Sequence, residues 1–134
     1  MSDFRKVTDR LSVSPQINVE DVARAAREGF GLIINNRPDG EAPDQPSGAE
    51  IAAAAEAAGV DYLYVPINGR PSLEQARAVK AAIDQAGGPT LAFCRSGTRS
   101  ITTWAIGEAA SGGDSGEIIG AAANAGYDLR PILG

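Results

Sequence analysis

Short apolar runs alternate along the chain with segments whose apolar residues recur at helical spacing. This alternation is typical of a parallel sheet with helices packed on its faces, and it predicts the element order βαβαβαβα. No internal repeat or low-complexity linker divides the sequence, so we expect one domain over residues 1–134. The predicted strands are an amino-terminal strand or hairpin at 4–7 and 11–13, followed by 30–34, 62–66 and 89–93.

Capping residues mark where the predicted helices begin. Asn18 suits an N-cap position, and the pairs Ser47 with Glu50 and Ser72 with Gln75 have the spacing of a capping box. Near the carboxyl terminus, Pro131 argues against a regular helix, so we expect residues 127–133 to lie back on the domain. The predicted helices cover 19–28, a segment from Ser47 to about Gly59, a segment from Ser72 to about Ala86, 102–110, and a last helix from 114 or 115 to 126.

The composition excludes several classes of function. The 134 residues are 43% apolar, enough for one packed core, and the net charge of −5 opposes binding to the phosphate backbone of nucleic acids. The chain has no His, which excludes His-based acid–base catalysis and most zinc sites. Its single Cys excludes an intramolecular disulfide. We expect neither a metal nor an organic cofactor.

The sequence offers no targeting signal. Charged residues occupy the amino terminus, where a signal peptide needs an apolar stretch, and the Ala-rich run 51–60 is far shorter than a membrane span. A lone thiol without an export signal indicates a reducing compartment. We therefore expect a cytoplasmic protein with no membrane or nucleic-acid partner.

The segment that carries chemistry is CRSGTRS at residues 94–100, between a predicted strand and a predicted helix. Ligands of parallel sheets gather at the carboxyl ends of strands, and the amino terminus of a helix attracts anions. Both features favour a thiolate at Cys94, as do the neighbouring arginines. The alternative is that Cys94 is a small buried hydrophobic residue. We favour a nucleophile, because the strand, the glycine and the arginine all stand where an anion site needs them.

Several residues are candidates to bind a substrate at Cys94. Arg99 could grip an oxyanion with two parallel N–H donors, and we expect it to be catalytic together with Cys94. Gly97 lets the loop curl with its amides inward, and Ser100 could offer its hydroxyl to the sulfur. Arg37 and Arg70 each follow a predicted strand end, although Arg37 could instead form an exposed ion pair. The residues predicted to bind substrate are Arg95, Ser96, Gly97, Thr98, Ser100, Arg70 and Arg37.

The cysteine loop resembles the active loop of cysteine-dependent phosphatases and of rhodanese-type sulfurtransferases. Together with four further segments it resembles the phosphatase-like domain of beta-lactamase hydrolase-like proteins over nearly the whole chain. This resemblance implies the fold of dual-specificity phosphatases, a mostly parallel sheet flanked by helices with Cys94 at its centre. Relatives fused to sulfur-handling oxidoreductase or dioxygenase domains suggest a sulfur-handling redox partner. The four segments are SPQ at 14–16, GFGLIINNRPD at 29–39, QP at 45–46 and YVP at 64–66.

Three features depart from the phosphatase pattern that this resemblance implies. Phosphatases usually have a His before the cysteine and an arginine six positions after it, whereas here Phe93 precedes Cys94 and Arg99 follows after five positions. Dual-specificity phosphatases also carry an acidic residue after the strand that matches 62–66, where this chain has Asn68. The carboxylates that could replace this general acid are Asp39, Glu41 and Asp44 on a polar loop.

These departures favour sulfur transfer. A Cys94 thiolate would take the outer sulfur of thiosulfate or of a persulfide, and the departing sulfite or thiolate needs no proton. The alternative is a phosphatase that hydrolyses phosphomonoesters through a phosphocysteine at Cys94, with Arg99 as the phosphate clamp. A third hypothesis is a non-catalytic module that binds an anion or a partner. The expected ligand is in each case a small anion: thiosulfate, a persulfide or a phosphoester.

Overall fold

One sheet of five short strands forms the centre of the structure, a computed structural model that describes residues 3–133. The strands are β1 (Arg5–Thr8), β2 (Leu11–Ser14), β3 (Leu32–Asn35), β4 (Asp61–Tyr64) and β5 (Thr90–Phe93). Their order across the sheet is β1-β2-β5-β3-β4, which places β5 in the middle. The β1–β2 pair is antiparallel and the other three pairs are parallel. This confirms the predicted α/β class with a mostly parallel sheet.

Six helices accompany these strands in the described residues. Ser72 caps the third helix with a complete capping box, as its spacing predicts, and the predicted N-cap Asn18 caps the first helix with a box that it forms with Asp21. The longest helices have 13 residues, and no helix within 3–133 is long and apolar enough to cross a membrane. The helices are α1 (Val19–Arg27), α2 (Gly48–Ala58), α3 (Leu73–Gln85), α4 (Thr98–Ala110), α5 (Ser115–Asn124) and α6 (Arg130–Leu133).

The helices cover both faces of the sheet. Successive residues of a strand point to opposite faces, so Leu32 and Ile34 of β3 pack with residues of α3, α4 and α5, while Ile33 packs with residues of α1 and α2. The central strand is buried along its whole length. The loop that follows it is therefore held on a rigid support.

Helix α4 begins at Thr98, four residues before the predicted start of 102. The polar run after Cys94 has the composition of a longer loop, but Gly97 has a φ of +92° and serves as the N-cap of α4. This left-handed conformation, which glycine adopts readily, lets the chain turn from β5 into α4 within residues 94–97. The predicted anion site consequently lies directly at the amino terminus of the helix.

Two smaller predictions about helix ends need correction. Pro131 does not prevent a helix: it lies in the first turn of the short helix α6, where the missing N–H would have no partner within the helix. Ser47 accepts the N–H of Glu50 at 3.1 Å. The Glu50 carboxylate does not return a bond to the Ser47 N–H, so this cap is half of the predicted box.

Candidate active site

Cys94 lies directly after the central strand β5. Its neighbours in the sheet end at the same level, since Phe93 is paired with Ser14 of β2 and with Asn35 of β3. Cys94 is 0% exposed, and its Sγ accepts the N–H of Gly97 at 3.1 Å. The predicted nucleophile therefore lies on the inner side of its own loop.

The amino terminus of α4 is available to an anion. Gly97 makes no side-chain cap, so the first amides of the helix keep the positive character of a helix amino terminus. Ser96 and Thr98 are exposed, and their hydroxyl oxygens lie 3.0 Å apart. The exposed side of the loop therefore lies next to the amide donors that an anion site needs, and binding of an anion there stays a prediction.

Arg99 is held firmly beside the loop. Its Nη1 donates to Glu41 Oε2 at 2.7 Å and to the Ile67 carbonyl at 2.9 Å, and its Nη2 donates to Glu41 Oε1 at 2.7 Å. A guanidinium has five N–H donors, so these three bonds leave the Nε–H and one Nη2–H, which form a parallel pair. The hydrogen bond to Glu41 raises the pKa of Arg99, and the charge of Cys94 adds to the increase. We infer that the remaining donor pair faces Cys94.

Glu41 is ionised in this arrangement. Hydrogen bonds from Arg99, together with one from Arg37 Nε at 3.0 Å, lower the pKa of the Glu41 carboxyl to about 2, although partial burial opposes the shift. Near neutral pH this side chain is a carboxylate and has no proton to donate. Its position instead fixes the orientation of Arg99, a role that the sequence analysis did not assign to it.

Arg37 supports Glu41 from the interior. It is 4% exposed, and its Nη1 donates to Gln16 Oε1 at 3.1 Å. The backbone N–H of Gln16 in turn donates to the Arg95 carbonyl at 3.2 Å. Arg37 does form the ion pair considered for it, with Glu41, but the expectation that this pair is exposed is wrong because the Arg37 side chain is buried. Direct contact of Arg37 with substrate stays a prediction.

Arg70 lies at the surface after β4, and Arg95 lies at the surface in the loop itself. Both are exposed, and within residues 3–133 neither side chain makes a hydrogen bond or ion pair. Their predicted role as substrate-binding residues stays a prediction.

Ser100 contacts a residue that the sequence analysis missed. Its hydroxyl donates to Asn36 Oδ1 at 2.8 Å, so its one proton is not offered to the Cys94 sulfur; substrate binding by Ser100 stays a prediction. Asn36 is fully buried, receives the Ser100 hydroxyl, and donates through Nδ2 to the Val65 carbonyl at 2.9 Å. The position of Asn36 directly after β3 could have identified it as a site residue, because β3 lies beside β5, the strand that ends at Cys94.

Tyr127 is the second residue that the sequence analysis missed. Its hydroxyl donates to the Ser96 carbonyl at 2.9 Å and accepts from Arg5 Nη1 at 2.9 Å. The local sequence gives no sign of this contact, because Tyr127 lies in a carboxyl-terminal segment without a recognisable motif.

The described residues offer no acid at the position where the resemblance implies one; Asp44 is exposed on its loop, and its role as a replacement acid stays a prediction. Asn68 is exposed after β4 and carries no acidic proton. Asp39 Oδ1 accepts the N–H of Gly48 at 2.7 Å and so serves the start of α2. Within 3–133, no group of three or more His, Cys, Asp or Glu side chains could hold a metal ion.

The placement of Cys94 and Arg99 on this sheet is that of a cysteine-phosphatase-like protein. Residues 3–111 match the family model described as beta-lactamase hydrolase-like protein, phosphatase-like domain. The chain belongs to this family, as its resemblance implies.

Curated relatives are longer than this chain. The beta-lactamase hydrolase-like protein of Agrobacterium fabrum is 39% identical over 109 residues, which are 80% of this chain and 25% of that protein. The protein of the same name from Xylella fastidiosa is 38% identical over 125 residues, 92% of this chain and 29% of that protein. The chain thus spans between a quarter and a third of the length of these relatives.

Solved structures share the fold. A protein from Neisseria meningitidis described as a candidate phosphatase has a TM-score of 0.85 and 35% identity, covering 97% of this chain and 93% of that chain. Tk-PTP in its active form has a TM-score of 0.71 and 23% identity, covering 93% and 85%. TpbA of P. aeruginosa in complex with phosphotyrosine has a TM-score of 0.62 and 19% identity, covering 90% and 69%. The last two show the fold alone.

Proposed function

We propose that the chain is a cysteine-dependent phosphatase. The observation that carries the proposal is that Arg99, in the first turn of the uncapped helix α4 that follows Cys94, keeps two of its five N–H donors unused by Glu41 and Ile67. Membership of the phosphatase-like family and the likeness to the N. meningitidis protein support it. TpbA, which shares the fold, was solved with phosphotyrosine and supports a phosphoester as the ligand class. The relatives and neighbours described above do not support the sulfur transfer favoured by the sequence.

The proposed reaction has two steps. The Cys94 thiolate attacks phosphorus, the bond from phosphorus to the ester oxygen breaks, and the leaving group departs with that electron pair. Water then attacks the phosphocysteine, releasing inorganic phosphate and restoring the cysteine. Arg99 would bind two of the phosphoryl oxygens, and the α4 amides would stabilise the charge that they carry in both steps.

The substrate class follows from the missing acid. Asn68 cannot protonate a leaving group, and Glu41 is ionised near neutral pH because its pKa is about 2. Loss of a general acid costs roughly 10²–10⁴ in rate when the leaving group is a poor one. We therefore propose aryl phosphates as substrates, since a phenolate leaves without a proton far more easily than an alkoxide.

A series of aryl phosphates tests this proposal. We expect hydrolysis of p-nitrophenyl phosphate, with kcat/KM falling by about 10²-fold or more on changing to phenyl phosphate. Cys94→Ser should abolish turnover, and Thr90→Val, at the other end of β5 from Cys94, serves as a control. Equal rates across the series would contradict the acid-free mechanism. Turnover that persists in Cys94→Ser would contradict the role of the cysteine.

Sulfur transfer is a second candidate because one specific observation favours it. Four residues separate Cys94 from Arg99, so the loop has fewer amides to surround three phosphoryl oxygens than a loop one residue longer. A single sulfur atom needs less room. In this reaction the thiolate attacks the outer sulfur of thiosulfate, the S–S bond breaks and sulfite leaves, so Cys94 keeps one added sulfur.

Exposure to thiosulfate tests this second candidate. Intact-mass spectrometry should find one added sulfur on the wild type, absent in Cys94→Ser and removed by cyanide as thiocyanate. No added sulfur on reduced protein would exclude it. If neither phosphate nor sulfur is transferred, the non-catalytic anion or partner module is what remains.

A further inference from the structure

We propose that Tyr127 is a positioning residue that sets the orientation of the amide contacting Cys94. This proposal rests on the proposed role of Cys94 as a nucleophile, but not on which group Cys94 transfers. Tyr127 lies after α5, outside the residues matched by the family model. It is 9% exposed, and its hydroxyl reaches the Ser96 carbonyl at 2.9 Å.

The geometry of one peptide unit links Tyr127 to the sulfur. The carbonyl of Ser96 and the N–H of Gly97 belong to the same peptide, which is planar and trans, so the two groups point in opposite directions. The carbonyl accepts the Tyr127 hydroxyl, and the N–H donates to Cys94 Sγ at 3.1 Å. The hydrogen bond from Tyr127 fixes the direction of the Ser96 carbonyl. It therefore also fixes the direction of the Gly97 N–H, which points the opposite way, toward the Cys94 sulfur.

Without Tyr127 this peptide would be easily reversed. Gly97 has a φ of +92°, and glycine places little steric barrier against rotation of the peptide that precedes it. Reversal would turn the Ser96 carbonyl oxygen toward the sulfur, where it would repel a thiolate. The hydroxyl of Tyr127 opposes this reversal by binding the carbonyl in its present direction.

Two further observations support this role of the Tyr127 hydroxyl. A Cβ on Gly97 would overlap the Tyr127 hydroxyl and lie 3.0 Å from its ring carbon Cζ, so the glycine leaves room for it. Arg5 Nη1 donates to the same oxygen at 2.9 Å, with the guanidinium 5.3 Å from the ring centroid. A cation bonded to the oxygen strengthens the hydroxyl as a donor. Strand β1 thus acts on the loop through Tyr127.

The test is the rate at which iodoacetate alkylates Cys94, the only thiol in the chain, followed by intact-mass spectrometry. Tyr127→Phe removes the hydroxyl and keeps the ring. We expect alkylation to slow by about tenfold, because the amide is loosened but still present. Arg5→Gln should slow it by a smaller factor, and the double variant should be no slower than Tyr127→Phe.

The sign of the change separates positioning from a merely structural role. Cys94 is fully buried, so general loosening of the loop would expose the sulfur and speed its alkylation. Thr90→Val is the matched control, since the buried Thr90 hydroxyl has no hydrogen-bond partner within residues 3–133 and its loss should leave the rate unchanged. Faster or unchanged alkylation in Tyr127→Phe would overturn the proposal.

This readout also keeps the two proposals apart. One outcome is that Tyr127→Phe is alkylated more slowly than wild type, while the wild type does not hydrolyse aryl phosphates. This outcome would support the positioning role and refute the phosphatase. Aryl phosphate hydrolysis with unchanged kcat and unchanged alkylation in Tyr127→Phe would refute the positioning role and leave the phosphatase in place.

Discussion

The ion pair between Glu41 and Arg99 predicts a loss of stability that depends on pH. Glu41→Gln keeps the shape of the side chain but removes its charge, and one of its two bonds to Arg99 becomes a contact between two donors. The change in the Glu41 pKa from 4.5 to about 2 corresponds to about 3 kcal/mol. Because the side chain is 27% exposed and solvent screens such pairs, we expect about 1–2 kcal/mol at pH 7.

The direction of the pH dependence follows from the lowered pKa. A carboxyl whose pKa is lower in the folded protein stabilises it fully above the unfolded value, here 4.5, and loses that contribution as the pH falls toward about 2. The stability gap between wild type and Glu41→Gln should therefore be constant from pH 7 to about 5.5. For a gap of about 1–2 kcal/mol at pH 7, more than half of it should be lost by pH 3.5.

Urea denaturation of both proteins at several pH values measures this gap. Glu56→Gln is the control, since Glu56 is exposed, lies beyond the first turn of α2, and its side chain makes no hydrogen bond or ion pair within residues 3–133. Equal stability of wild type and Glu41→Gln at pH 7 would refute the ion pair as the support of Arg99. A gap that does not change between pH 7 and 3.5 would show that the charge of Glu41 is not its cause.

Three further substitutions test other contacts of the loop. Arg99→Lys keeps the charge but loses the parallel donors, so kcat/KM for p-nitrophenyl phosphate should fall by about 100-fold; a change below threefold would contradict the clamp. Gly97→Ala should cost about 1–3 kcal/mol in urea denaturation, because alanine is strained at this φ and meets the hydroxyl of Tyr127, and the cost should be smaller in a Tyr127→Phe background. Asn36→Ala should cost about 2–4 kcal/mol, since it leaves the Ser100 hydroxyl and a backbone carbonyl buried without their partner; an unchanged urea midpoint would contradict that network.

The fold was predictable because its signals are local. The inner strands β3 and β5 are short, largely apolar runs, and the Asn18 and Ser72 caps are read within four residues of chain. The position of Cys94 at the end of a strand was predictable for the same reason, because the apolar run before it and Gly97 and Arg99 after it lie within ten residues of chain. The early start of α4 was missed because it depends on the φ of Gly97, which polar composition does not reveal.

The supports of the site were not predictable because they join distant parts of the chain. Glu41 binds Arg99 across 58 positions, and Tyr127 reaches Ser96 across 31. One sequence contains no pattern that pairs such residues. Glu41 entered the sequence analysis as a possible proton donor, but its two arginine partners, which are visible only in the structure, keep it ionised.

The central claim is that Cys94 accepts a phosphoryl group. The direct measurement is intact-mass spectrometry of wild type and Cys94→Ser, quenched in acid after brief exposure to p-nitrophenyl phosphate and, separately, to thiosulfate. The account predicts one phosphoryl group on the wild type alone, formed together with p-nitrophenolate. A wild type that gains a sulfur from thiosulfate and never a phosphoryl group would contradict it and establish sulfur transfer instead.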